Sequence, residues 1–264
     1  MAELPVELVQ RIKREALEND TIYRQRYGTS GDLQGIHYGH AKMLDWAFEQ
    51  LPELKGARVL DVGVGEGYSS VRLALAGADV TGIEVSTEAL RHAASRANKH
   101  GVTISFHEMP GENLRFEDAS FDAILCISAY HHMDLERAAS EFARVLRPGG
   151  RLVLLEPLFS NPPAWLYRKL GRLFSREATS EERPLRVSDL RVLERNFRTV
   201  RWRGIFMLSL ALFGFDRLWK SRNLLVHRLT GTAFKWVYPL DCVLLRWFPF
   251  FQRMAWKIGV IVDR

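Results

Sequence analysis

Gly63, Gly65 and Gly67 stand at alternate positions between a short apolar run and a segment of helical periodicity. Glycine there lets the backbone turn sharply and approach a ligand closely, and a helix N-terminus adds N–H donors with partial positive charge. A strand, this loop and a helix in succession suit a nucleotide-type ligand. Glu84 closes the next apolar run, where a carboxylate accepts hydrogen bonds from ribose hydroxyls. His131 and His132 follow a later run. With a reference pKa of about 6.5, an imidazole takes up a proton near neutral pH. Tyr130 and Glu156 are weaker candidates for that task. Each has a plainer reading beside it: turn glycines, a solvated strand-end charge, histidines that cap or pack a helix. No spacing fits a metal site, and no Ser/His/Asp arrangement can be assembled.

The elements that must position these residues alternate. Arg58–Val62 reads as a buried strand and Tyr68–Ala76 as a helix stopped by Gly77. Asp79–Glu84 is a second strand. Ser86 is an N-cap for a helix over Thr87–His100, with Gly101 ending it. Val102–Phe106 and Phe121–Ile127 are the third and fourth strands. A helix over Leu135–Leu146 ends at Pro148-Gly149-Gly150, before a fifth strand, Arg151–Glu156. Thr199–Leu208 and Lys257–Val262 are the sixth and seventh. Nearly continuous apolar strands between helices predict an α/β fold, with a mostly parallel sheet covered on both faces.

The chain's 264 residues allow one α/β core with an appendage. Its two cysteines, Cys126 and Cys242, lie in apolar runs without ligand-like neighbours, which fits a reducing cytoplasm. The first twenty residues read as an amphipathic helix through Leu8, Val9, Ile12, Ala16 and Leu17, not as a secretory signal. No apolar run reaches the length of a membrane span. Charge divides the chain. Residues 1–150 carry 16 Lys/Arg against 22 Asp/Glu, whereas residues 151–264 carry 21 against 9 and six of the seven tryptophans.

The loop reads D-x-G-x-G-x-G rather than the G-x-G-x-x-G of dinucleotide folds. An acid at Asp61 disfavours a pyrophosphate and suits the cationic amino-acid end of S-adenosylmethionine. The motifs VLDVGVGEG (59–67), GIEVS (82–86), GENLRFEDASFDAI (111–124) and SAYHHMDLERAASEFARVLRPGGRLVLLEP (128–157) follow in order. Together they resemble the class I, Rossmann-like S-adenosylmethionine-dependent methyltransferases of type 11, which include quinone-biosynthesis enzymes. The resemblance covers residues 56–157 and implies a seven-stranded sheet with its last strand antiparallel. It also implies a cofactor over strands one to four and an acceptor near the ends of strands four and five. Carried over by position, Asp61, Gly63, Gly65, Gly67 and Glu84 bind the cofactor. Relatives place an aspartate facing the adenine before E-N-L. Pro110 stands there in this chain, leaving Glu112 (beside Asn113), Glu108 or a backbone group for that task.

Three segments result: a helical lid over residues 1–55, the cofactor-binding core over 56–157, and an acceptor-side region over 158–264. Tyr23, Tyr27, His37, Tyr38 and His40 gather in a glycine-punctuated stretch that is either a lid over the cofactor or a surface loop. Residues 209–256 form a helical insertion between the last two strands. There Leu210, Phe213, Trp219, Trp236, Trp247 and Phe250 interleave with Arg217, Lys220, Arg222, Arg228 and Arg246. Three readings stand: contact with an anionic membrane or lipid-like acceptor at the inner membrane face, an ordinary cap, or a homodimer interface. Nucleic acid is ranked low, because no recognition motif accompanies the charge. The expected activity is methyl transfer to an apolar small-molecule or lipid-like acceptor at oxygen, nitrogen or carbon. The alternatives are a cofactor-binding scaffold without catalysis, a nicotinamide-dependent oxidoreductase, or a different reaction on the same cofactor.

Overall fold

The computed structural model of the chain describes residues 4–26, 38–159, 183–209, 212 and 224–264. Seven strands form one sheet: β1 (Arg58–Val62), β2 (Asp79–Glu84), β3 (Ser105–Glu108), β4 (Phe121–Ile127), β5 (Leu146–Pro157), β6 (Thr199–Ile205) and β7 (Lys257–Asp263). Their order is β3-β2-β1-β4-β5-β7-β6. Strands β1 to β5 run parallel, and β7 inserts antiparallel to both β5 and β6. This is the α/β, Rossmann-like seven-stranded architecture expected from the sequence.

Successive side chains of a strand point to opposite faces, so the apolar strands feed two cores at once. Leu60, Val62, Ile124, Cys126, Leu152 and Leu154 pack on one face beneath α5 (Leu135–Val145) and α6 (Leu190–Asn196). Val59, Ala123, Leu125, Val153 and Leu155 pack on the other, with α2 (Tyr38–Gln50) and α3 (Tyr68–Leu75). A fully buried Leu or Val side chain contributes about 1.5–3 kcal/mol. The strand interiors are therefore where the fold is anchored.

Local signals set the helix starts. Ser86 Oγ accepts the Ala89 N–H at 3.1 Å and opens α4 (Thr87–Lys99); Asp134 does the same for α5 through the Arg137 N–H. Three boundaries differ from the sequence expectation by three residues or more. Strand β3 begins at Ser105, because the Val102 N–H is still bonded to Ala97 O in the end of α4. Strand β5 begins at Leu146, paired with Phe121, and resumes register at Arg151 after the Pro148–Gly150 excursion. Strand β6 stops at Ile205, because Phe206 turns to a φ of 60° and the next three N–H groups, of Met207, Leu208 and Ser209, bond to Asp241.

An N-terminal helix, α1 (Val6–Arg26), is present as expected, although Leu17 faces solvent. Helices α7 (Leu224–Trp247) and α8 (Pro249–Gln252) occupy the connection from β6 to β7. Helix α7 is held down by Phe234, edge-on to Phe206 at 5.3 Å, and by the buried Asp241. Among the described residues no helix is long and apolar enough to cross a membrane.

Candidate active site

The carboxyl ends of β1, β2, β4 and β5 open into a cavity of about 850 Å³. Ligands of open α/β sheets bind at this end, where the strand order reverses. Ile12, Glu15, Asn19 and Tyr23 of α1 form its opposite wall.

The glycines divide their work. A Cβ on Gly63 would lie 2.3 Å from the Ala129 Cβ, and one on Gly67 2.9 Å from the Ala93 backbone. These two let the loop press against the end of β4 and against α4. Gly65, also at positive φ, lines the cavity and faces the Tyr23 hydroxyl. Arg96 braces the loop from below, donating to Glu66 O at 2.8 Å and stacking on the Tyr68 ring at 3.5 Å.

Glu84 is nearly buried at the end of β2. Its carboxylate accepts the N–H groups of Gly65 (3.1 Å), Val85 (2.9 Å) and Ser86 (3.1 Å). Burial pushes its pKa up against those donors. Asp61 is placed differently from the sequence expectation. Its carboxylate lies beneath the loop, accepts the Ser69 and Ser70 hydroxyls at 2.7 and 2.5 Å, and does not line the cavity. Burial pushes this carboxyl up to about 6, against the lowering effect of Ser70 and Ser69.

Of the acids near Pro110, Glu112 lines the cavity, pairs with Arg11 and accepts the Asp134 N–H at 3.0 Å. Asn113 sits outside the lining, its N–H bonded to Pro110 O. Glu108 is exposed and accepts from Thr87 Oγ1.

His131 and His132 share one 3-10 turn, Tyr130–His132, with ring centroids 4.1 Å apart. Their roles separate. His131 turns inward, its Nδ1 at 2.5 Å from Glu156 Oε2. The other carboxylate oxygen of Glu156 accepts the N–H groups of Ala129 and Tyr130 at 3.1 and 3.0 Å. His132 lines the cavity, its Nδ1 at 3.5 Å from Glu15 Oε1. Burial, against the opposing charge of Arg11, pushes Glu15 up to about 7. Tyr130 is a core residue whose hydroxyl donates to Leu135 O, and burial moves its pKa far above the ordinary value.

Helix α1 is strapped across this cavity. Asp20 accepts the Ser86 hydroxyl at 2.6 Å and the Glu88 N–H at 3.1 Å, and Arg24 pairs with Glu88 at 2.9 Å. Arg11 reaches His132 O and Glu112. Of the expected lid residues, Tyr23 is in the cavity wall. Tyr27 and His37 lie outside the described residues, as do the side chains of Tyr38 and His40, which belong to α2.

Glu15, Arg11, Ser128 and Lys257 were not singled out by sequence. Lys257 opens β7, lines the cavity and donates to Ser128 Oγ at 2.6 Å. The available signals were slight: Glu15 on the Leu8–Ile12 stripe of α1, and a lysine heading an apolar strand.

The residues present fit S-adenosylmethionine. Gly65 and the Glu84 carboxylate line the cavity beside the apolar side chains of Val64, Ile83 and Met109, a lining that suits a ribose and a base. Fold and cavity together define a nucleoside-cofactor enzyme of the Rossmann-like class. Comparison with known proteins narrows this. A family model described as a methyltransferase domain matches residues 60–154. The ubiquinone biosynthesis O-methyltransferase of Bordetella avium is 32% identical over 166 residues, covering 60% of this chain and 68% of that protein. Its counterpart in Alkalilimnicola ehrlichii is 32% identical over 159 residues, covering 60% and 64%. The chain thus spans about two thirds of the length of these curated relatives. Geranyl diphosphate C-methyltransferase from Streptomyces coelicolor A3(2), solved with S-adenosyl-L-homocysteine, shares the fold with a TM-score of 0.62 at 15% identity, over 96% of this chain and 97% of that one. The chain belongs to the class I S-adenosylmethionine-dependent methyltransferases.

Proposed function

We propose that this enzyme methylates a hydroxyl of an apolar, quinone-type small molecule, with His132 as the general base. The observation that carries the reading is the His132–Glu15 contact at 3.5 Å in the wall of the cavity that Gly65 and Glu84 also line. The names of the curated relatives, which specify O-methylation in ubiquinone biosynthesis, support the choice of atom and of acceptor class.

S-adenosylmethionine supplies a methyl activated by its sulfonium, so the protein's main task is alignment, worth up to about 7–11 kcal/mol. His132 would take the proton of the acceptor hydroxyl as that oxygen receives the methyl, and S-adenosylhomocysteine would be the leaving group. An ionised Glu15 steadies the imidazolium so formed and acts as a positioning residue. Gly63, Gly65 and Glu84 hold the cofactor, Asp61 and Gly67 shape the loop beneath it, and Glu112 stands on the adenine side with Asn113 behind it. Residues 56–157 form the cofactor unit, residues 1–55 the lid and residues 158–264 the acceptor side. A peripheral position on the inner face of a membrane would bring such an acceptor within reach.

The test is incubation with labelled S-adenosylmethionine and a series of catechol-type acceptors with apolar tails. A labelled methyl ether is expected. Cofactor binding without product from any acceptor would instead favour the non-catalytic scaffold.

A further inference from the structure

Among the described residues, eleven large apolar side chains are exposed, and six of them fall between Trp236 and Phe250. The spacing of Trp236, Leu240, Val243 and Trp247 puts them on one face of α7, because residues three and four apart are neighbours on a helix. Phe248 and Phe250 extend that face into α8. All six are between 55% and 76% exposed. The opposite face is fixed. Phe234 and Leu245 are buried there, and Asp241 accepts the N–H groups of Met207, Leu208 and Ser209 together with the Ser209 hydroxyl. The outward orientation of the apolar face is therefore set by the fold. An apolar patch of this kind marks an interaction surface.

Its charge selects the occupant. Between Leu224 and Gln252 the sequence has one carboxylate, Asp241, and that group faces inward. Lys235 and Arg246 are exposed beside the apolar face, and Arg253 follows it. Tryptophan and phenylalanine flanked by cations, with no acid, suit an interface of anionic headgroups over acyl chains. A second copy of the chain is a poorer occupant: a two-fold contact would bring each basic patch against its own image. Among the described residues no helix is long and apolar enough to span a bilayer, so such a face would lie along a membrane surface.

We infer that the Trp236–Phe250 face seats the protein on an anionic lipid bilayer. The inference rests on this face alone and stands whether or not the acceptor proposed above is the right one. It moves the membrane contact to α7 and α8, whereas Arg217, Lys220 and Arg222 lie outside the described residues.

The experiment is sedimentation of the full chain with phosphatidylcholine vesicles, with and without phosphatidylglycerol, at low salt. Brominated acyl chains serve as quenchers of tryptophan emission. Wild type is expected to bind the anionic vesicles and to be quenched. Replacing both tryptophans by phenylalanine (W236F/W247F) should keep binding and remove most quenching. The serine pair (W236S/W247S) should weaken binding about tenfold or more. Calorimetric binding of S-adenosylhomocysteine certifies that each variant is folded, and the phenylalanine pair decides the matter if the serine pair is not. Absence of vesicle binding, equal binding to neutral vesicles, or unchanged quenching in W236F/W247F overturns the inference. So does a dimer, seen by light scattering, that W236S/W247S dissociates without vesicle binding by wild type.

Discussion

The Nδ1 of His131 lies 2.5 Å from Oε2 of Glu156, and both side chains are shut away from solvent. This pair separates the two neighbouring histidines. His131 is committed to the end of β4, and His132 is the one that meets the cavity.

Glu156→Ala should be strongly destabilising, by about 3–5 kcal/mol, because it leaves a buried histidine and two N–H groups without their acceptor. Glu156→Gln, which keeps a carbonyl oxygen, should cost less. Burial raises the Glu156 pKa, but His131 and then Lys257 outweigh it and hold the carboxyl below its ordinary value. A depressed carboxyl contributes stability above the unfolded pKa and loses it as pH falls through the folded one. Urea midpoints of wild type and Glu156→Gln should therefore converge in acid, below the ordinary carboxylate range.

His132→Ala should lower kcat by about 10²- to 10⁴-fold, the usual worth of a general base. With Glu15 titrating near 7, its anion forms across the neutral range. In wild type kcat should rise through about pH 7 as Glu15 ionises. Glu15→Gln should remove the Glu15 contribution to that limb, leaving only the deprotonation of His132 itself, with the dissociation constant for S-adenosylhomocysteine within about threefold. A pH–rate profile unchanged by Glu15→Gln would assign Glu15 to packing alone.

Asp61 gives the opposite pH dependence to Glu156. Its carboxyl is raised from 3.8 to about 6, so the folded state holds its proton more tightly than the unfolded chain does. Stability from this group is full below about 3.8 and declines as pH climbs to about 6. Asp61→Asn keeps an acceptor for Ser69 and Ser70 and should flatten that decline. Chemical denaturation across pH 4–7, wild type against Asp61→Asn, reads the difference directly.

Glu84 ties the glycine loop to β2 through the Gly65 N–H. Removing the carboxylate frees three backbone donors and would take away the ribose acceptor proposed above. Glu84→Ala should raise the dissociation constant for S-adenosylhomocysteine by about 10- to 100-fold, equivalent to about 1.4–2.7 kcal/mol. Isothermal calorimetry measures it.

Strands β1, β2 and β4 were legible to the residue, because each is an apolar run buried on both faces and bounded by turn residues. Strand β3 was not, since its exposed edge has little pattern and the preceding helix still holds Val102. The end of β6 depended on Asp241, a partner 32 to 34 residues away. The same rule divides the site. Gly65 and Glu84 were legible because loop, strand and helix adjoin in sequence. Glu15 and Lys257 were hidden because only the fold brings α1 and β7 to the end of β4. The order of the sheet, with β7 inserted beside β5, sets Lys257 opposite Pro157 and so next to Ser128. Asp61 was legible as a residue, yet its partners Ser69 and Ser70 gave it a supporting place under the loop.

The straps from Asp20, Arg24 and Arg11 bind α1 to α4, Glu112 and the histidine turn. On the proposed reading, a ligand seated under α1 would be held in part by contacts that protein groups make with one another. Departure of the spent cofactor would wait on the opening of those contacts, and turnover would then be set by release as well as by methyl transfer.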